Sequence, residues 1–486
     1  MSDIGDNLSA AEPTRQRTSP AAAGGGGSGD GRGGLLARLG LHRPELRAWA
    51  MYDWAISGMQ AVILASVFPI YFAKVAAAGL EGSRATQAWS NVNFVGAVLV
   101  AVIAPILGAA ADYAAAKKKL TAVFMLVGVI GTGGMFFIQQ GDLVLAMVLF
   151  LLSLIGSTAS LTFYESLLPH IASEDEVDRV STGGYALGYL GGGLLLALNL
   201  AAIQQPQWFG LPSGPGLTPS QATLPSRLAF VSVAVWWLAF SIPLFRRVRE
   251  PARRIEADER SAANPVRVAF ARLGETVRSL RGFRHAFLML VAFMIYNDGI
   301  QTIIKTAAVY GAEIGIPDGA MIGSILIVQF VGVPFAFLFG MLAGKIGAKR
   351  SIFLGLAVYT LISIVGFFMR TATHFLILAL LVGMVQGGTQ ALSRSLFASM
   401  VPPHKSGEFF GFYSVFSKFA SIFGPLVFSL TIATTGSSRY AILSVIVFFV
   451  IGAALLTKVD VAEGQRVARL AEAGTHGAPA AGTAAG

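Results

Sequence analysis

Apolar residues fill twelve stretches, each of roughly 20 residues or more, between positions 48 and 457, and short polar segments separate them. Each stretch is long enough to cross about 30 Å of hydrocarbon as an α-helix. The predicted spans are residues 48–78, 89–111, 119–139, 143–168, 180–204, 226–246, 286–311, 319–344, 350–369, 374–400, 407–433 and 438–457. The pattern predicts an all-α polytopic membrane protein with twelve transmembrane helices.

Composition supports this class and excludes several others. Hydrophobic residues make up 54% of the chain and charged residues 13%, which excludes an ordinary soluble globular protein. The chain has no cysteine, and its six histidines stand singly, so disulfides and thiolate chemistry are excluded and a metal centre is disfavoured. No cofactor is implied. Residues 1–44 predict a disordered cytoplasmic tail, and the Ala/Gly-rich residues 458–486 predict a second, loose cytoplasmic tail.

Basic residues crowd the loops on one side of the predicted bundle. A net charge of +10 would also fit nucleic-acid binding, but membrane topology explains these residues better, so we expect no nucleic-acid partner. The positive-inside rule then places both termini in the cytoplasm. The expected location of the protein is the cell (inner) membrane. The segment 247–285 is predicted to be a cytoplasmic linker with a basic amphipathic helix that begins at Asn264-Pro265, or alternatively a solvated charged helix.

A six-plus-six division around this linker predicts an internal repeat, and the sequence contains one. Span two is followed by GAAADYAAAKK (108–118) and span eight ends in GMLAGKIGAKR (340–350). Glycine, small residues and a basic pair fall in register. The repeat predicts two pseudo-symmetric six-helix bundles, residues 45–246 and 286–457.

These motifs resemble the major facilitator superfamily, whose inner loops carry the pattern G-x-L-A-D-R-x-G-R-K. The first copy keeps Asp112 and Lys117, whereas the second keeps Lys345 and Lys349 but has Gly344 in place of Asp. The stretches MYDWAISG, STGGYALGYLGG, LSRSLFASMVPP and EFFGFYSVFSKFASIFGP are similar to the autophagy-related vacuolar amino-acid effluxers and their prokaryotic relatives. The resemblance implies a major facilitator fold and amino-acid-like substrates. It also implies that helices one, four, seven and ten line a central cavity while three, six, nine and twelve face lipid.

The repeated motif also has a physical interpretation of its own. Asp112 lies near a helix end, where it can pair with a cation of the other half and act as an inner latch together with Lys117, Lys345 and Lys349. The alternative is that the lysines only mark the cytoplasmic side. That alternative leaves Asp112 and the register unexplained.

Six of the charged residues inside the predicted spans are candidates for function, because a charge there costs about 2.5–3.5 kcal/mol on insertion scales. They are Asp53 in span one, Glu165 in span four, Asp298 and Lys305 in span seven, Arg394 in span ten and Lys418 in span eleven. Polar residues recur beside them at helical spacing, which predicts polar stripes that enclose a hollow. The predicted substrate-binding or coupling residues are Asp298, Gln301, Thr302, Lys305, Lys418, Gln386 and Gln390. The opposite charges near the midplane suit a zwitterion.

The remaining membrane charges lie a turn or two from the cytoplasmic ends. Asp53, Glu165 and Arg394 are therefore predicted to form an inner gate with the motif residues, and the alternative for Asp53 is an interfacial acid that snorkels to the membrane surface. The buried acids Asp298 and Glu165 have two alternative roles, either as a proton-coupling site or as a member of a permanent ion pair. Span five carries six glycines between positions 183 and 193, which predict close helix packing or a bending hinge. Tyr185 and Tyr189 either face the cavity or pack together.

Other function classes fit poorly. GMLAGK has one spacer too few for a phosphate-binding loop, and no span supplies a nucleophile with its base, so we expect no enzyme. The sequence predicts a secondary active transporter that moves a small polar solute by alternating access, with proton coupling as an open question. The alternative is a membrane sensor or scaffold that does not transport. The expected partners are a small-molecule substrate and the lipid bilayer, and we expect a monomer.

Overall fold

The computed structural model describes residues 41–114, 117–172, 176–250, 274, 278–402, 409, 413, 416 and 421–476. The predicted tail 1–44 lies almost wholly outside the described residues, as does the predicted amphipathic helix from Asn264 as far as residue 277. Ten helices of the described chain are long and apolar enough to cross a membrane. Two shorter apolar helices, Asp318–Gly332 and Phe423–Thr435, occupy the eighth and eleventh positions.

The first half contains six long helices, in the order that the hydrophobic pattern predicts. They are α1 (Pro44–Ala76), α2 (Gly82–Ala114), α3 (Lys117–Gly134), α4 (Leu143–Glu165), α5 (Val177–Gln204) and α6 (Leu224–Arg247). Helix α1 has π-helical turns at Gln60–Ala65 and Phe72–Ala76, with the Ser66 hydroxyl donating to the Ala61 carbonyl at 2.6 Å. Such turns interrupt the regular ladder and locally reshape the helix.

The second half repeats the arrangement. Its helices are α7 (Arg284–Glu313), α8 (Asp318–Ile346), α9 (Ala348–Phe367), α10 (Ala372–Ala398), α11 (Phe423–Thr435) and α12 (Ser438–Thr457). The halves meet where α2 packs on α11 and α7, α5 packs on α8, and α1 packs on α7. The end of the bundle where α1 begins and where the loops α2–α3 and α8–α9 lie is called the basic end below, and the opposite end is called the distal end.

The prediction of a loose tail after residue 458 is wrong for the described part of it. Val461–His476 form a further helix, α13. Gly464 packs this helix closely against Met400 and His285, and Ala468 is buried. The Ala/Gly content that suggested a loose tail instead permits a close approach to the basic end of the second half.

Apolar side chains stand outward on the helices that were predicted to face lipid. Exposed stripes run along α3, α6, α9 and α12: Val123, Leu126 and Ile130; Val235, Leu238 and Ile242; Leu354, Leu361 and Ile364; Val447, Val450 and Ile451. Each member lies three, four or seven residues from another member of its stripe, which keeps the stripe on one helix face. Such faces suit contact with lipid, but exposed apolar residues also occur on α4 and α5, so the assignment of the lipid-facing helices stays a prediction.

The glycines of α5 pack the first half tightly. A Cβ atom on Gly191 would lie 2.7 Å from the Trp54 carbonyl oxygen, and one on Gly192 would lie 2.8 Å from that of Ser57. The backbones of α5 and α1 therefore touch, as glycine-rich membrane helices permit. Close packing, rather than freedom to bend, accounts for these two positions.

Candidate functional site

Asp53 lies inside the first half, against α4 and α5. Its carboxylate accepts a hydrogen bond of 2.8 Å from the Tyr164 hydroxyl, and Gly184 brings the α5 backbone against it. Trp49 stacks on the Tyr164 ring with centroids 4.5 Å apart and donates its indole N–H to the Tyr164 carbonyl at 3.2 Å. The alternative of a snorkelling interfacial acid is therefore wrong, because the side chain points into the protein.

The predicted gate charges come close to one another around Tyr185 of α5. This tyrosine is 56% exposed, and it lies within electrostatic range of Asp53, Glu165 and Arg394. Glu165 is the last residue of α4, and Arg394 lies one turn before the end of α10. Asp53 and Glu165 belong to the first half and Arg394 to the second. The exposure of Tyr185 favours the alternative in which this side chain faces the space between the halves. Their role as an inner gate stays a prediction.

The motif residues at the basic end have contacts within their own halves. Lys117 lies with its ammonium 3.2 Å from the His170 ring, and Lys349 donates to the carbonyls of Thr457 and Val459 at 3.1 and 2.8 Å. Lys345 is exposed at the end of α8. Asp112 lies in the last turn of α2, and its side chain is outside the described part of the structure. The inner latch between the two halves, predicted from Asp112 and these lysines, also stays a prediction.

Asp298 joins α7 to the beginning of α11. One carboxylate oxygen accepts the Phe423 N–H and the other accepts the Gly424 N–H, both at 2.9 Å, and the residue is 1% exposed. The unpaired N–H groups at a helix start carry partial positive charge, so a carboxylate placed there is stabilised. Thr302 lies beside this contact and donates to the Asp298 carbonyl at 2.7 Å.

Asp298 and Thr302 of the polar stripe on α7 therefore face α11 in this conformation. The Lys305 carbonyl accepts the Trp89 indole N–H at 2.7 Å, which ties α7 to α2. Among the described residues, the Lys305 ammonium has no hydrogen-bond acceptor and forms no ion pair with Asp298. Gln301 is partly buried on the same helix, and Lys418 lies outside the described residues.

A cavity of about 150 Å³ lies on the opposite face of α7. Helices α7, α8, α9 and α10 supply most of its wall, while Ala65 and Tyr189 border it from the first half. Gln386 of α10 lines this space, whereas the Gln390 amide donates to Asn297 at a long 3.5 Å. The predicted substrate residues thus divide between two places, because Asp298 and Thr302 contact α11 and Gln386 faces the cavity.

Polar contacts close the distal end between the halves, and we call this set the distal latch. Glu313 at the end of α7 accepts from the Thr86 hydroxyl of α2 at 2.5 Å and, with the same oxygen, from the Ser438 hydroxyl of α12 at 2.6 Å. Lys74 of α1 forms an ion pair with Asp318 of α8. The set is completed by a contact between α2 and α11, in which the Ser429 hydroxyl donates to the Asn91 amide oxygen at 2.6 Å.

The sequence interpretation missed the distal latch. A signal was present, since Lys74, Glu313 and Asp318 are charges of opposite sign at the distal ends of three spans. Their partners lie up to 244 residues away in the chain, so no local pattern pairs them.

Comparisons with known proteins agree with this architecture. Residues 91–469 match the family model described as "Vacuole effluxer Atg22 like". The chain is 35% identical over 425 residues to an uncharacterized MFS-type transporter, YxiO, of Bacillus subtilis, which covers 86% of this chain and 96% of that protein. It is 24% identical over 307 residues to autophagy-related protein 22-1 of Aspergillus niger, across 59% of this chain and about half (48%) of that protein. A solved D-xylose–proton symporter superposes with a TM-score of 0.62 at 15% identity, covering 87% of this chain and 98% of that one.

Proposed function

The chain belongs to the vacuole effluxer Atg22-like family of MFS-type membrane transporters, and from this premise we propose that it moves a small polar solute by alternating access. Amino acids are the first candidates, with efflux from the cytoplasm as the direction. We place the protein in the inner membrane with both termini in the cytoplasm. The coupling ion in this proposal is the proton.

The observation that carries the proposal is the asymmetry between the two ends. The distal latch joins both halves through Glu313 and the Lys74–Asp318 pair. At the basic end, Tyr185 is largely exposed between charges that come from both halves. This combination supports a conformation that is closed distally and open toward the basic end, as one of two states of a rocking transporter. A sensor or scaffold that does not transport would not require one end of the bundle to be closed and the other open.

The test of the proposal is solute flux. Purified protein in proteoliposomes should accumulate or release at least one member of a panel of amino acids and small organic solutes, and an imposed proton gradient should change the rate. Solute flux at the same rate with and without the proton gradient would contradict proton coupling but would still support transport. No flux for any solute under either condition would favour the sensor or scaffold.

Lys305 is the residue that we assign to the anionic group of the substrate. Its ammonium has no acceptor among the described residues, whereas Asp298 already accepts two N–H groups. Replacing it in Lys305→Met removes the charge but keeps much of the length. Since a hydrogen bond to a charged group contributes roughly 1.5–3 kcal/mol, KM for a carboxylate substrate should rise about 10- to 100-fold.

The control is Lys458→Met, because Lys458 is exposed at the end of α12. Substrate esters or amides, which lack the carboxylate, should be affected little by either variant. A Lys305→Met protein with an unchanged KM for carboxylates would contradict this role.

A further inference from the structure

The cavity on the α8–α10 side of α7 is hollow because small residues from several helices meet there. Its wall includes Ala307 of α7, Gly332 of α8, Gly366 of α9, and Ala379 and Gly383 of α10. Large aliphatic and aromatic side chains complete the wall, so its surface is mainly apolar. An apolar protein cavity of about 150 Å³ is able to hold a benzene-sized molecule. The volume of this cavity, also about 150 Å³, therefore suits one six-membered ring.

The polar side chains of the wall are uncharged, and three of their hydroxyls already donate their hydrogen to a backbone carbonyl. The Thr306 hydroxyl donates to the Thr302 carbonyl at 2.7 Å, that of Tyr310 to the Gly366 carbonyl at 3.3 Å, and that of Ser363 to the Tyr359 carbonyl at 3.1 Å. A hydroxyl has one hydrogen and two lone pairs, so each of these oxygens is left with acceptor capacity alone.

Two amides add to this set from opposite helices. Gln329 of α8 and Gln386 of α10 line the cavity, and neither side chain has a hydrogen-bond partner within the described ranges. Each amide oxygen can accept two hydrogen bonds, and each NH₂ group can donate. Together with the three hydroxyl oxygens, the two amide oxygens give the wall more acceptor atoms than donor groups. No Asp, Glu, Lys or Arg belongs to the described wall. A charged group that entered would lose its hydration without gaining a counter-charge.

We propose that this cavity binds an uncharged, mainly apolar ligand the size of a single ring that carries one hydroxyl or N–H donor, a phenol or an alcohol being the simplest case. The apolar wall takes the ring, and the hydroxyl and amide oxygens accept from the donor. The site is separate from Lys305, which lies on the other face of α7, and binding there does not depend on the proposed transport.

The test compares three probes on the purified full-length protein in detergent, with calorimetric titration as the measurement. The probes are p-cresol, toluene and 4-methylbenzoate, which share a methyl-substituted ring and differ in the donor and the charge. One satisfied hydrogen bond should make p-cresol bind roughly 2- to 10-fold tighter than toluene, and 4-methylbenzoate should not compete. Equal affinity for p-cresol and toluene, or competition by 4-methylbenzoate, would overturn the proposal.

A filled cavity provides the second arm of the test. Ala379→Leu places a larger side chain in the wall, and it should abolish p-cresol binding. The matched control is Ala357→Leu, the same change at an exposed position of the lipid-facing helix α9. If Ala379→Leu binds p-cresol like the unaltered chain, the ligand lies elsewhere and the proposal fails. The probe series on the unaltered protein decides the question even if this variant does not fold.

Discussion

Asp298→Asn should abolish gradient-driven transport while the protein still inserts into the membrane. Both carboxylate oxygens accept backbone N–H groups of α11, at Phe423 and Gly424. Asparagine offers one oxygen and one NH₂ group, so one of these N–H groups would face another donor in a buried place. Leaving a buried donor unsatisfied costs about 1–3 kcal/mol, and the lost attraction to the helix start adds up to about 2 kcal/mol. Flux in proteoliposomes and the unfolding temperature measure the result.

Gly424→Ala approaches the same contact from the other side. A Cβ atom there would lie 2.6 Å from the Asp298 carboxylate and would collide with the Thr302 hydroxyl. If Asp298 holds α11 in place, both variants should lose gradient-driven uptake and also solute exchange at equilibrium. If Asp298 is instead the proton site, Asp298→Asn should retain exchange and lose only accumulation. Normal solute exchange in both variants would contradict the role of Asp298 in holding α11 in place.

Asp142→Asn is the matched control for this pair. Asp142 also accepts a backbone N–H, that of Gln139 at 2.8 Å, but it does so in a partly exposed loop. Water can replace the lost acceptor there, so flux and the unfolding temperature should change little. A comparable loss in this variant would mean that any aspartate substitution harms the protein.

The all-α architecture and the order of its long apolar helices could be predicted from the sequence because hydrocarbon thickness fixes the length of an apolar span. Ten helices of the described chain reach that length, and two shorter apolar helices are consistent with the remaining predicted spans. The exposed apolar stripes of α3, α6, α9 and α12 follow from the same rule, since an apolar face without a partner inside the protein suits lipid. That Asp298 needed a partner could also be predicted, because an isolated charge is costly in the membrane. These features depend on the lipid bilayer, whose thickness and low polarity are the same for any membrane protein and are known before the structure.

The partner of Asp298 could not be predicted in the same way. It consists of two backbone N–H groups at the beginning of α11, and every non-proline residue has such a group. Only the position at which a helix begins makes them available, and helix ends are weakly encoded. Asp298 was expected to bind a zwitterionic substrate together with Lys305 and Lys418, and in the structure its carboxylate caps the beginning of α11. The binding role of these residues stays a prediction. The charge of Asp298 therefore predicted that this residue needs a partner inside the membrane, but it did not predict which groups would be that partner.

Glu313→Ala should loosen the distal end and reduce transport, whereas Glu313→Gln should be mild. A single carboxylate oxygen accepts both the Thr86 and the Ser438 hydroxyls, so one residue links α7 to α2 and α12. The glutamine carbonyl can take the place of that oxygen, but alanine leaves both hydroxyls without an acceptor. The loss should be on the order of 2 kcal/mol, or about 30-fold in the equilibrium between the distally closed and open states. The Lys74–Asp318 pair is about 40% exposed (38% and 42%) and is expected to contribute less.

Thiol cross-linking measures this equilibrium directly, because the chain has no cysteine of its own. Cysteines in place of Asn91 and Ser429, whose side chains meet across the halves at 2.6 Å, should be joined rapidly by a short bifunctional reagent when the distal end is closed. Glu313→Ala should slow this reaction, Glu313→Gln should slow it little, and Glu81→Ala, which removes an exposed acid at the same end, should leave it unchanged. Equal rates in all four proteins would show that Glu313 does not hold the distal end closed. A slowed reaction together with reduced flux would instead tie the closure of this end to the transport cycle, because a transporter that cannot close distally cannot present its site to the other side.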